Sequence, residues 1–174
     1  MKMIPLTPKV FLRELCREDA ASIFSAIDAD RGYLGRWLPF VQYTRSKEDS
    51  LRYIESVLDA AYREAVFTIR EEGALIGLIG FKSTDPYARS TEIGYWLREA
   101  WQGRGIVTQA VDRLCRMARE ELAMRRVTIK CATGNLPSNR IPQRLGFVLD
   151  HVERHAELLE DGHYTDANVY IREL

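Results

Sequence analysis

The stretch Thr91-Glu92-Ile93-Gly94-Tyr95-Trp96-Leu97, followed by Trp101-Gln102-Gly103-Arg104-Gly105-Ile106-Val107-Thr108, decides how this chain is read. The first part has the aromatic and branched character of a strand. The second breaks at two glycines and runs into apolar positions Ile106, Val107, Ala110, Val111, Leu114, Met117 and Ala118, the spacing of a strongly amphipathic helix. A strand that passes through a glycine-rich turn into a helix collects free backbone N–H groups and the positive end of the helix dipole at one point, which favours an anion there. Gly103 and Gly105 allow main chain to approach a phosphate that a side chain would block. The pattern is not a Walker loop, because no Gly-Lys-Ser/Thr follows, and it does not fit the dinucleotide fingerprint GxGxxG. On its own the segment reads equally well as an ordinary tight turn.

Working outward, residues 10–15 read as a first strand, and residues 17–28 as a helix with Ala20, Ile23, Phe24 and Ile27 on one face. Residues 33–43 are aromatic and irregular, with Gly32, Gly35 and Pro39 as breaks. Ser46 and Asp49 mark a helix start, and that helix is expected to reach about Tyr62 with Leu51, Ile54, Leu58 and Ala61 inward. Residues 66–70 and 75–82 are strand-like runs around the hairpin signal Glu71-Glu72-Gly73-Ala74. Residues 91–97 form a fourth strand and 127–131 a fifth; a short helix over 138–145 stops at Gly146, and strands near 147–155 and 167–172 finish the chain. The order βαα-βββ-αβα-ββ predicts an α/β (α+β) domain, with a mixed, mostly antiparallel central sheet and helices on both faces.

A chain of 174 residues suits one domain, here 1–174, and buries roughly 70% of its extended surface without disulfides or a structural metal. Lys plus Arg and Asp plus Glu both count 25, so there is no net field to draw the chain to nucleic acid or an anionic membrane. No apolar run is long enough to span a bilayer, and no secretion signal opens the chain. Cys16, Cys115 and Cys131 are an odd, scattered set, which argues against disulfides and zinc and for a reducing cytoplasm. His151, His155 and His163 lack an acidic partner set for a metal, and His151 and His155 read as strand residues on one face.

A second informative segment is Asn135-Leu136-Pro137-Ser138-Asn139-Arg140-Ile141-Pro142-Gln143-Arg144-Leu145-Gly146-Phe147. Ser138 there reads as a helix cap and Asn135 as a turn former. Together the two segments resemble the GNAT superfamily of N-acetyltransferases, and within it the RimJ/RimL branch. The superfamily signature Gln/Arg-x-x-Gly-x-Gly/Ala lands on Gln102, Gly105 and Val107, the last departing from the small residue of the pattern. The Glu-Ile-Gly-Tyr-Trp-Leu strand, the Asn-x-x-Ser turn, the Gly146-Phe147 pair and Tyr33-Leu34-Gly35-Arg36-Trp37-Leu38-Pro39 are similar to the branch pattern, so the resemblance covers the chain from about Pro8 onward.

The resemblance implies acetyl-CoA as acyl donor and no metal. Its diphosphate would rest on the amides of Gln102, Gly103, Arg104, Gly105, Ile106, Val107 and Thr108, with Asn135 and Ser138 also in its site. Its pantetheine arm would follow Ile93, Tyr95, Trp96 and Leu97. An amine would attack the thioester directly, which requires a neutral amine, an oxyanion donor and a proton source for the thiolate. A strand N–H near Ile93 to Tyr95 is the implied oxyanion donor. The tyrosine that many members use to protonate the thiolate falls on Pro142, which cannot donate, and Ser138 is the implied substitute. Glu157 and Glu92 are both implied as base. Trp37, Phe40 and Tyr43 fall where the family builds its acceptor pocket, or they form a loop folded onto the core. By branch the acceptor is the N-terminal α-amine of a ribosomal protein; a small amine (aminoglycoside, polyamine or peptide antibiotic) and a non-catalytic acyl-CoA sensor are the rival readings. The resemblance also implies a homodimer.

Overall fold

Among the described residues, eight β-strands follow one another as β1 (Met3–Pro5), β2 (Val10–Glu14), β3 (Val66–Glu71), β4 (Ala74–Asp85), β5 (Ser90–Leu97), β6 (Arg126–Ala132), β7 (Val148–Leu158) and β8 (Tyr164–Glu173). The computed structural model from which they are read describes residues 1–60 and 65–174. The strands lie in one sheet in the order β1-β2-β3-β4-β5-β6-β8-β7. The pairs β1–β2, β2–β3, β3–β4, β6–β8 and β7–β8 are antiparallel, while β5 and β6 are parallel. The parallel pair follows from its connection, since a helix must carry the chain from the end of β5 back to the start of β6. The α-helices among the described residues are α1 (Ala20–Ala29), α2 (Arg31–Leu34), α3 (Lys47–Leu58), α4 (Ile106–Glu120) and α5 (Leu136–Arg144).

The described residues group into two compact units that interleave in sequence. One comprises Met1–Gly80 with Tyr95–Ile106, the other Phe81–Gly94 with Val107–Leu174. In the first, Ile23, Ala26 and Ile27 of α1 and Ile54 of α3 join Leu75, Leu78 and Trp96 in one apolar core. Ser46 caps α3, its side chain accepting from the Asp49 N–H at 3.3 Å while Asp49 accepts from the Ser46 hydroxyl at 3.1 Å. Such a cap is worth about 1 kcal/mol. The helix ends at Leu58 with Asp59 as its C-cap, short of the expected reach to about Tyr62, while Ala61 and Tyr62 themselves lie outside the described residues. In the second unit α4 buries Ala110, Val111, Leu114, Met117 and Ala118, the stripe expected from their spacing.

Further features differ from the sequence expectation. β1 is only three residues long, too short for its alternation to stand out, yet Ile4 pairs opposite Leu12 and is buried. The segment expected to be irregular contains α2 and a 3₁₀ turn over Pro39–Tyr43. Arg31 fastens one to the other by donating to the Val41 carbonyl at 2.6 Å and the Thr44 carbonyl at 2.8 Å. Finally, α5 begins at Leu136 rather than Ser138, because Asn135 is its cap.

Candidate active site

The turn after β5 is built by side chains that close it from below. The Gln102 amide donates to the Leu97 carbonyl at 2.9 Å, and Asp30 accepts from the Glu99 N–H at 2.8 Å. Gly103 and Gly105 hold φ of +74° and +72°, the left-handed region that glycine enters without steric cost. A Cβ on Gly103 would meet no atom within 4 Å, so the surface in front of the turn is open. The first-turn amides of α4, which starts at Ile106, have no carbonyl partner within their own helix. The turn therefore offers main-chain donors, a helix N-terminus and free space together, a set that fits a diphosphate.

Arg104 is engaged from a side that its sequence does not announce. Its guanidinium pairs with Glu71 at the end of β3, and the same carboxylate accepts from the Trp101 indole N–H at 2.6 Å. The hydrogen bonds from Arg104 and then Trp101 hold the Glu71 carboxyl below the usual range, and Arg104 is raised in turn. Glu71 thus pins both ends of the segment leading into the glycine turn.

The parallel ladder between β5 and β6 is short. It pairs Ser90 with Arg126, Thr91 with Val127 and Glu92 with Thr128, and ends there. From the register, Glu92, Thr128, Lys130, His151, Glu153 and Glu157 share one face of this part of the sheet, through their partners Thr165, Ala167, Val169 and Ile171 on β8. Glu92 is buried and accepts from Lys82 at 2.9 Å. Lys130 donates to Glu153 at 2.8 Å. That bond raises the Lys130 ammonium above its ordinary value against the cost of burial, and the charges of Glu92 and Glu157 add to it. Both base candidates therefore act on one lysine.

On the opposite face, Ser138 stands in the first turn of α5, its hydroxyl donating to Cys131 Sγ on β6 at 3.4 Å. Asn135 accepts from the Ser138 N–H at 3.5 Å, so Asn135 rather than Ser138 does the capping. The next residue locks the helix to the sheet. The Asn139 amide donates to the carbonyls of Ala132 and Asn135 at 2.9 and 2.7 Å, and its oxygen accepts from Asn168 at 2.8 Å and from the Tyr170 hydroxyl at 2.9 Å. These bonds fasten the first turn of α5 to β6 and β8.

Glu157 is exposed near the end of β7, beyond a bulge. His151 and His155 do not alternate along a regular strand, because the register shifts twice and His155 takes a φ of +49°. Trp37 is half-buried, whereas Phe40 and Tyr43 are 38% and 65% exposed on the 3₁₀ turn. Among the described residues no cluster of three or more His, Cys, Asp or Glu could hold a metal, and no helix is long and apolar enough to cross a membrane. Glu71, Lys82, Lys130 and Asp166 were not singled out by motif. Each acts through a partner distant in sequence or across a strand pair, and local spacing carries no signal of that.

Residues 9–148 match the family described as "Acetyltransferase (GNAT) domain". The chain is a GNAT acetyltransferase. This GNAT enzyme is 32% identical over 171 residues to the ribosomal-protein-serine acetyltransferase of Escherichia coli (strain K12), covering 97% of this chain and 95% of the relative. Its structure resembles that of RimL, a ribosomal L7/L12 α-N-protein acetyltransferase solved with coenzyme A bound through a cysteine disulfide, with a TM-score of 0.92, 27% identity and coverage of 99% and 98%. It also resembles MccE, a microcin C7 self-immunity acetyltransferase solved with acetyl-CoA and AMP, with a TM-score of 0.89, 25% identity and coverage of 97% and 94%. The mixed, mostly antiparallel sheet with its helices is the GNAT fold, and the protein is an acetyl-CoA-dependent N-acetyltransferase.

Proposed function

We propose that this acetyltransferase modifies the N-terminal α-amine, serine or alanine, of a ribosomal protein. The diphosphate of acetyl-CoA rests on the amides of residues 102–108, and the pantetheine arm follows β5 with an N–H of residues 93–95 facing the thioester oxygen. The observation that carries this reading is the end of the β5–β6 ladder at Glu92 and Thr128, with Ser138 on one face beyond it and Glu157 on the other. An acid and a base on opposite faces suit direct transfer. The amine arrives beside Glu157, which takes its proton. Nitrogen bonds to the carbonyl carbon, the C–S bond breaks, and the thiolate leaves toward the Ser138 hydroxyl.

The chemistry of the amine favours an α-amino group. Its pKa is about 7.7–8.0 against about 10.4 for lysine, so delivering a neutral lysine costs about 3–4 kcal/mol more. An exposed glutamate suits the smaller task. The 32% identity to a ribosomal-protein-serine acetyltransferase along nearly the whole chain supports the same acceptor. Reaction on ribosomal proteins would place the enzyme in the cytoplasm. The disulfide between coenzyme A and a cysteine in the RimL structure supports a thiol end near Cys131, which touches Ser138 here.

The likeness to MccE favours a second reading, a small or peptide-antibiotic amine as acceptor. A sensor that only binds acyl-CoA has no use for a proton donor and a base. Release of thiol from acetyl-CoA decides between these. Turnover is expected with peptides that begin with Ser or Ala and none with the same peptides N-terminally blocked. Turnover with spermidine, kanamycin or a peptide antibiotic, and with no ribosomal-protein peptide, would transfer the assignment to the second reading.

A further inference from the structure

Strands β7 and β8 do not pair evenly. Glu153 lies opposite Ala167 and Glu157 opposite Thr165, so residues 154–156 face the single residue Asp166. Extra residues in a bulge leave the ladder, and something other than the ladder must fix their shape. His155, in the middle, sits at a φ of +49°, a conformation a non-glycine residue keeps only when its surroundings hold it there.

Asp166 supplies that hold. One carboxylate oxygen accepts from the His155 N–H at 2.9 Å, and the other from the Arg154 guanidinium at 2.7 Å. The His155 N–H, then Arg154, keep this carboxyl below the usual aspartate range. The main chain of Asp166 reaches the other way, its carbonyl accepting from the Thr133 N–H at 2.9 Å. Thr133 opens the turn that contains Asn135, the cap of the helix bearing Ser138. The Thr165 hydroxyl also donates to that carbonyl, at 3.2 Å.

We infer that Asp166 is a positioning residue for acetyl transfer, clamping the bulge that aims Glu157 and tying it to the turn that leads to Ser138. The inference rests on Glu157 being the base. Glu157 is exposed where the ladder resumes beyond the bulge, so the shape of residues 154–156 sets how the strand presents its carboxylate. Proton transfer is sensitive to that direction, and a misplacement of about 1 Å costs about 10²-fold in rate.

The test is a double-mutant cycle on the full chain, with kcat measured on a Ser-peptide and acetyl-CoA affinity measured by calorimetry. Asp166→Ala is expected to lower kcat about tenfold or more while acetyl-CoA binding stays within about twofold. Asp166→Asn keeps a carbonyl oxygen for the His155 N–H and is expected to recover most of that loss. In a Glu157→Gln background neither Asp166 variant lowers kcat further, because the group they aim has gone. A wild-type kcat in Glu157→Gln removes the base assignment itself and is seen without touching Asp166. A damaged Glu157→Gln beside an undamaged Asp166→Ala, or an equal loss in both backgrounds, overturns the positioning role alone. If the alanine variant does not fold, the asparagine variant runs the same cycle, with a loss of a few-fold expected only where Glu157 is present.

Discussion

Lys82 lays its side chain against Gly94 and sets its ammonium 2.9 Å from the Glu92 carboxylate. A Cβ on Gly94 would come within 3.2 Å of Lys82 Cε, so the bare α-carbon of β5 gives this arm room. The pair separates the two glutamates that the sequence left as alternatives. Glu92 is buried with a cation bonded to it, while Glu157 is exposed on the same face.

The kinetic expectation is that Glu157→Gln lowers kcat by about 10²–10⁴-fold, the range for loss of a general base, while Glu92→Gln stays within about tenfold of wild type. Steady-state rates on one Ser-peptide at saturating acetyl-CoA measure both. A larger loss in Glu92→Gln would reverse the two roles.

The same pair makes a prediction about stability that is asymmetric. Lys82 is 53% exposed and Glu92 only 11%, so removing the lysine strands a buried carboxylate, whereas a glutamine at position 92 still accepts from a lysine that water also solvates. Lys82→Met should therefore melt several degrees lower than Glu92→Gln in thermal unfolding. Equal melting temperatures would mean that the pair contributes little to folding.

What was legible in the sequence is what depends on near neighbours. The α4 stripe, the β3–β4 hairpin, the Ser46 cap and the glycine turn are each written in fewer than twenty consecutive residues, and each stands where its spacing placed it. The short strand β1 lacks enough residues to show a period. The β7 bulge is invisible because the carboxylate bonded to it, that of Asp166, is on the next strand. Ser138 was legible only through its resemblance to a family; its closeness to Cys131 depends on α5 lying against β6, and the Asn139 bonds to Ala132, Asn168 and Tyr170 that secure this cross between elements. The pairing of Arg104 with Glu71 was missed for the same reason.

That pairing changes what is expected of the glycine turn. If main-chain amides hold the diphosphate, Arg104→Ala, whose charge Glu71 already offsets, should weaken acetyl-CoA binding by no more than about threefold. Gly103→Val places a β-branched residue at a φ of +74° and fills the open space before the amides, and should weaken binding by well over tenfold. Calorimetry on folded protein reads both. A large loss in Arg104→Ala with a small one in Gly103→Val would move the anion from the amides to the side chain.

Cys131 offers a chemical ruler for the leaving thiolate. Its sulfur is 3.4 Å from the Ser138 hydroxyl, so if the thiol of coenzyme A leaves toward Ser138 as proposed, it comes within reach of Cys131. Incubation with coenzyme A disulfide should give exchange, one sulfur bonding to Cys131 as the other leaves as free coenzyme A thiol. Intact mass measurement should show one adduct, reversed by dithiothreitol, absent in Cys131→Ala and suppressed by prior acetyl-CoA. Modification at Cys16 or Cys115 in place of Cys131 would separate Ser138 from the sulfur.

Asp166 gives the pH dependence its sign. Its carboxyl is held low by the His155 N–H and by Arg154, so its contribution to stability is present above the unfolded aspartate pKa of about 3.9 and is lost as pH falls through the lower folded value. Asp166→Asn removes that titration and leaves the other depressed carboxyls, Glu71 and Asp161 among them, common to both proteins. The difference in melting temperature between wild type and Asp166→Asn should thus stay constant from about pH 7 to about pH 5 and close below about pH 4. Lys130 runs the other way. Its raised value means a contribution present below about pH 10 and lost as pH climbs through the folded pKa, so a Lys130→Met difference should close only in strong alkali. A gap for Asp166→Asn that holds unchanged down to about pH 2 would show that the carboxylate charge does not fasten the bulge.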